Sequence, residues 1–150
     1  MRDPAEMDRK EWMGVLARAP AAVVAQLWEA AGLPEPAHDW LRPPEIGAVM
    51  VRGRAGATGA PFNLGEMTVT RCALRLADGR DGHACVQGRD KDHARRAALA
   101  DALMQGAEAG EVRAALLSPL AEAEAEGRAA LARRAAATKV EFFTLMRGDA

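Results

Sequence analysis

Between Phe62 and Gly88 the sequence turns back on itself about Asp78-Gly79, and this feature restricts the possible folds more than any other. Phe62 to Leu76 is rich in β-formers. Cys72, Leu74 and Leu76 share one parity and Arg71 and Arg75 the other, so the run reads as a long strand with one wet face. Asp-Gly is a strong hairpin signal, because a type I′ turn needs positive φ at both central residues. With that tight turn Ala77 pairs with Arg80, Cys72 with Cys85 and Leu74 with His83. A four-residue loop shifts the pairs by two and keeps the parity, so one sheet face is expected to carry Cys72, Leu74, His83 and Cys85. The returning strand ends at Gly88, and a helix is predicted from Asp90 or Lys91 to about Gln105, stopped by Gly106. A hairpin followed by a covering helix is incompatible with a doubly wound dinucleotide fold, which alternates strands and helices around a parallel sheet.

The flanking segments complete an α+β fold: an antiparallel β-meander of about three strands, flanked by helices. Trp12, Val15, Leu16 and Ala19 fall at helical spacing within Asp8 to Ala19. Pro20 suits the first turn of a second helix that carries Val23, Val24, Leu27 and Trp28 and closes at Gly32. The chain therefore opens on a helix pair. Pro34, Pro36, Pro43 and Pro44 make Leu33 to Pro44 read as an extended connector. Ile46 to Arg54 reads as a further strand, followed by a glycine-marked turn through Gly53, Gly56 and Gly59. Downstream, one helix is expected over Ala109 to Leu117. Ser118-Pro119 then reads as an N-cap and N1 pair opening an alanine-rich helix to about Ala137, with a thin apolar face. The tail from residue 138 to residue 150 concentrates Phe142, Phe143, Leu145 and Met146 at a terminus, and something must cover them.

Composition bounds the rest. A chain of 150 residues, 49% apolar, can bury one working core without disulfides or metals, so a single domain spanning 1–150 is expected. A net charge of -1 supplies no positive field for nucleic acid or for an anionic membrane. The opening residues are acidic, and no stretch approaches ~20 uninterrupted apolar residues, which points to a soluble cytoplasmic protein. Only 4% of residues are aromatic and tyrosine is absent, so much of the apolar count is alanine, which buries little area per side chain. Helices of that kind depend on what they dock against.

Chemistry-bearing motifs are sparse. Arg89, Lys91 and His93 surround a helix start after Gly88, and exposed N–H groups at such a start favour anions. Together with Arg71 they form a candidate phosphate-binding set. The competing reading makes Asp90 a plain N-cap, with Arg89 and Lys91 solvated. Neither a P-loop nor a dinucleotide fingerprint occurs, and the glycines at 53, 56 and 59 suit a hairpin connection better. His38, His83 and His93 lack metal-ligand spacing, and Cys72 and Cys85 lack the paired spacing of a zinc or iron-sulfur site. They read as reduced thiols without a bridge. No catalytic residue and no metal site is assigned. Phe142, Phe143, Leu145 and Met146 are candidate partner-binding residues, since aromatic and Met side chains make good interface anchors.

Several stretches carry a broader likeness: Trp12-Met13-Gly14-Val15-Leu16-Ala17, Gly65-Glu66-Met67-Thr68-Val69-Thr70-Arg71, Gly88-Arg89-Asp90-Lys91-Asp92-His93-Ala94, Asp101-Ala102-Leu103-Met104-Gln105, Val140-Glu141-Phe142-Phe143-Thr144 and the terminal Arg147-Gly148-Asp149. In these the chain resembles the PhnG family, the smallest core subunit of the bacterial carbon-phosphorus lyase complex, over nearly its whole length. The resemblance implies a cytoplasmic hetero-oligomer of four different core subunits that lets bacteria use phosphonates. There, methylphosphonate displaces adenine from ATP to give α-D-ribose 1-methylphosphonate 5-triphosphate. S-adenosylmethionine and an iron-sulfur cluster serve a later radical step. The resemblance places that chemistry mainly on partner subunits and implies no cofactor bound by this chain. It leaves two roles open: a non-catalytic interaction subunit, or one that contributes Arg71, Arg89, Lys91 and His93 to a nucleotide site.

Overall fold

The computed structural model of the chain describes residues 6–139. Helix α1 (Arg9–Arg18) begins at a reciprocal cap, in which the Asp8 carboxylate accepts from the Glu11 amide at 2.9 Å and the Glu11 carboxylate accepts from the Asp8 amide at 2.8 Å. Helix α2 (Ala21–Ala31) follows Pro20 and closes on Gly32, whose φ of 60° is the left-handed conformation a helix C-terminus needs. Both helices bury one face, Val15 and Leu16 from the first, Val24 and Trp28 from the second.

Three antiparallel strands, β1 (His38–Arg54), β2 (Pro61–Leu76) and β3 (Asp81–Gln87), form one sheet in the order β1-β2-β3. The supposed connector is half strand, since β1 starts at His38 and runs through Pro43 and Pro44. An edge strand tolerates residues without an N–H, and the register slips between Trp40 and Arg42 and again between Arg42 and Glu45 take up the misfit.

The β2–β3 hairpin also departs from expectation. Its loop has three residues, Ala77-Asp78-Gly79. Leu76 N–H donates to the Arg80 carbonyl at 2.9 Å, and Gly79, at φ 92°, donates to the Leu76 carbonyl at 3.0 Å. A three-residue loop with glycine in the left-handed third position is the next commonest hairpin solution after the two-residue turn. An odd loop slips the register by one, so Cys72 pairs with Ala84, not Cys85, and Leu74 with Gly82, not His83. Every β3 side chain therefore changes face. Gly82, Ala84 and Val86 join Cys72 and Leu74 inside, while His83 and Cys85 are exposed.

Helix α3 (Lys91–Leu103) covers the inner face, with Ala94, Ala97, Ala98, Leu99, Ala102 and Leu103 buried. Its alanines let backbone approach backbone. The Cys72 thiol reaches the Ala94 carbonyl at 3.2 Å, and a Cβ at Gly82 would lie 2.0 Å from the Ala98 carbonyl oxygen. One carboxylate locks the layers together. Asp101, fully buried on α3, accepts from Arg9 Nε at 3.1 Å and Nη2 at 2.8 Å, from Trp12 Nε1 at 2.9 Å and from the His83 amide at 2.9 Å. Each oxygen takes two bonds, so all four acceptor positions are filled.

The last helical stretch is continuous. Helix α4 (Ala109–Val112) passes through a π-turn (Arg113–Leu117) into α5 (Ser118–Ala137), so Ser118-Pro119 does not open a new helix. Pro119 has no N–H for the preceding turn and its ring crowds that turn's carbonyl. The widened π-turn accommodates both defects without ending the helix. It also sends Val112, Leu116, Leu117 and Leu120 into the core, after which α5 buries nothing further.

Candidate partner-docking arm

Strands β1 and β2 outrun the rest of the sheet. Strand β3 pairs only with Val69 to Arg75 of β2, so beyond Ala48 and Thr68 the two long strands continue as a ribbon paired to each other alone. At ~3.3 Å per residue, Ala48 to Arg54 makes an arm of roughly 20 Å. Among the described residues, eight large apolar side chains are exposed, and seven of them, Trp40, Leu41, Ile46, Val49, Met50, Phe62 and Leu64, lie on these two strands. Concentration on two paired strands, and not mere exposure, makes this the candidate surface for a partner.

The arm's tip is narrow. A 3₁₀ turn over Ala55–Ala57, with Gly56 at φ 59° and Ala57 at φ 66°, leads through Thr58, Gly59 and Ala60 into β2, so no bulky side chain sits at the end. Just behind it the register slips again, between Val51 and Arg52, and makes Leu64 the extra residue. Arg52 pairs with Asn63, Gly53 with Phe62 and Arg54 with Pro61. Paired residues share a face, and a Cβ at Gly53 would lie 2.7 Å from Leu64 Cδ1. Phe62 and Leu64 therefore occupy one face over Gly53, and Arg52, Arg54 and Asn63 the other.

The residues singled out from sequence scatter. Arg71 is exposed on the outer face of the sheet, turned away from α3, since its neighbour Cys72 points inward. Arg89 and Lys91 are exposed on either side of Asp90, whose carboxylate caps α3 through the His93 amide at 2.9 Å. His93 itself is 1% exposed, and its Nε2 lies 2.9 Å from the Leu16 carbonyl. That carbonyl can only accept, so Nε2 carries the proton and the ring ties α3 to α1. Phe142, Phe143, Leu145 and Met146 lie outside the described residues. Cys72 is buried, its thiol pushed up to about 12 by desolvation, and Cys85 is exposed on the opposite face. The two cannot ligate one metal or cluster together. Among the described residues, no three His, Cys, Asp or Glu side chains converge as metal ligands, and no helix is long and apolar enough to cross a membrane.

Residues 7–148 match the family described as phosphonate metabolism protein PhnG. The chain belongs to the PhnG family. A relative from Rhizobium meliloti (strain 1021), named alpha-D-ribose 1-methylphosphonate 5-triphosphate synthase subunit PhnG, is 44% identical over 149 residues, which cover 98% of this chain and 94% of that protein. The quoted stretches that fall within the described residues divide between core and surface. Trp12, Leu16, His93, Ala94, Asp101 and Leu103 build the packing of α1 on α3, whereas Gly65 to Met67 belong to the arm.

Burial lowers the His93 pKa below its ordinary 6.5, and that has a measurable consequence. Below 6.5 the unfolded chain takes up the proton first, so this contribution to stability is complete above 6.5 and is lost as pH falls toward the folded-state value. The urea midpoint is expected to drop between pH 7.5 and pH 5 (roughly, chosen to bracket the ordinary value). In His93→Gln, which keeps a donor but does not titrate, the drop should be smaller. An identical pH profile in the two proteins would refute a buried neutral imidazole.

Proposed function

We propose that this chain is a non-catalytic docking subunit of the cytoplasmic multi-subunit enzyme that makes α-D-ribose 1-methylphosphonate 5-triphosphate from ATP and methylphosphonate during phosphonate catabolism. The name of the Rhizobium meliloti relative supports the enzyme. The apolar arm supports the role, because a two-stranded ribbon has marginal stability in water and exposed aromatic and Met side chains gain most when a partner covers them. The tail with Phe142, Phe143, Leu145 and Met146 would supply a second anchor. ATP, S-adenosylmethionine and the iron-sulfur cluster would be held by the other core subunits of the complex and pathway. Met50→Ser with Phe62→Ser and Leu64→Ser, at positions exposed in the free chain, is expected to prevent co-purification with the other synthase subunits. Truncation before Val140 is expected to do the same. Intact assembly in both variants would overturn the docking role.

Direct contact with substrate phosphates is the second reading, and the exposure of Arg89 and Lys91 at the start of α3 favours it. It requires Arg89→Ala with Lys91→Ala to weaken nucleotide affinity of the assembled enzyme. Unchanged affinity and synthase rate would dismiss it.

A further inference from the structure

We infer that the arm inserts into a cleft of a different synthase subunit, with one apolar wall against Phe62 and Leu64 and one carboxylate-bearing wall against Arg52 and Arg54. This rests on the docking reading above and specifies the chemistry of the partner. Three observations carry it. The tip from Ala55 to Ala60 is made of Ala, Gly and Thr, so the arm is slimmest where it would enter first. The tip has two unlike faces, set by the pairing of Gly53 with Phe62 and of Arg52 with Asn63. The third observation is charge.

From Ile46 to Gly65 the only charged residues are Arg52 and Arg54, with Glu45 and Glu66 standing outside the run. Glu45 already faces Arg42 at 3.8 Å at the base of the arm. Arg54 Nη1 reaches only the Gly59 carbonyl, at 3.4 Å, and Arg52 has no partner among the described residues. Elsewhere some arginines meet carboxylates, while others, Arg71 and Arg89 among them, stand exposed without one among the described residues. Arg18 meets Glu124, Arg75 meets Asp81, and Arg80 meets Asp78 and Glu108. Two neighbouring guanidiniums beside an apolar face, with no carboxylate between Ile46 and Gly65, are open to an acidic counterpart from outside.

A second copy of the chain is the weaker occupant, because in a contact between two arms the other arm has no carboxylate between Ile46 and Gly65 to offer Arg52 and Arg54. At i and i+2 on one strand their Cα atoms are roughly 7 Å apart, so the acidic wall needs two carboxylates at about that spacing. Arginine pairs a carboxylate through two parallel N–H donors, and Arg→Lys is therefore not a neutral change at such a site.

The test uses the chain assembled with the other subunits of its synthase, at roughly 0.05 M and about 0.5 M salt, where screening is weak and strong respectively. Arg52→Glu with Arg54→Glu is expected to weaken association at least about tenfold at low salt, with the difference largely gone at high salt. Met50→Ser with Phe62→Ser and Leu64→Ser should weaken it at both. All five side chains are exposed, and an unchanged circular dichroism spectrum verifies the fold. If the serine variant weakens assembly and the charge reversal does not, the acidic wall is refuted while docking stands. If neither weakens it, docking through the arm fails and the inference with it. A chain that dimerises alone, and whose dimer is lost on charge reversal, would assign the arm to a second copy and overturn the inference.

Discussion

Replacing Asp101 by alanine is expected to cost about 3–4 kcal/mol of folding stability, read as a lower urea midpoint at unchanged slope. The carboxylate is fully buried on α3 and accepts four bonds from two other elements, three from α1 and one from β3. Its loss leaves Trp12 Nε1 and the His83 amide, both partly shielded from water, without an acceptor, and each such orphan costs up to roughly 1–3 kcal/mol. Arg9 is 47% exposed at its side chain and finds water instead, which keeps the total toward the lower end of values for a broken buried ion pair. Asp101→Asn should fare little better, because the amide nitrogen turns a donor toward donors. Arg9→Ala removes two of the four bonds at a partly solvated site and should cost clearly less, roughly 1 kcal/mol. Equal losses for Asp101→Ala and Arg9→Ala would mean that the ion pair alone, without the Trp12 and His83 bonds, carries the effect.

Gly82→Ala should be comparably damaging for a different reason. The added methyl would stand 2.0 Å from the Ala98 carbonyl oxygen and 3.1 Å from Ala102 Cβ, and both belong to the helix that closes the core. Backbone cannot rotate away as a flexible side chain can, so α3 must lift from β3. Overpacking of this kind costs typically 1–3 kcal/mol, and a clash with backbone belongs at the upper end. Gly127→Ala is the natural control. Its Cβ meets nothing within 4 Å in the middle of α5, and the change should stabilise by roughly 0.5–1 kcal/mol through helix propensity alone. A neutral Gly82→Ala would show that the sheet and α3 do not pack as closely as described.

Periodic and capping signals located the helices well. Gly32 and Asp90 act as the caps they read as, Asp8, read only as the first residue of a helical span, caps α1, and the strand from Phe62 begins one residue earlier, at Pro61. The failures were local contests between two legal solutions. Asp78-Gly79 suits a two-residue turn, yet Gly79 serves equally as the third residue of a longer loop, and that choice decides the face of every β3 side chain. Small Gly82 and Ala84 beside exposed His83 and Cys85 were the available hint. Ser118-Pro119 has the chemistry of a helix start, but propensity does not register that a π-turn can absorb a proline. The arm was half visible. Its strands were recognised from Ile46 to Arg54 and from Phe62 onward, but nothing local reveals that β3 stops short and leaves them uncovered.

Pro43 and Pro44, which read as linker residues, carry a consequence for solubility. Strand β1 is 17 residues long at the margin of the sheet, and an uninterrupted margin of that length is a template on which further chains can stack by main-chain bonding. Two adjacent residues without N–H groups and two register slips break the template within the body of the sheet, before the arm begins. What remains open beyond them, from Glu45 to Arg54, carries Arg52 and Arg54 near its end, and charges on an exposed edge discourage a second copy from stacking there.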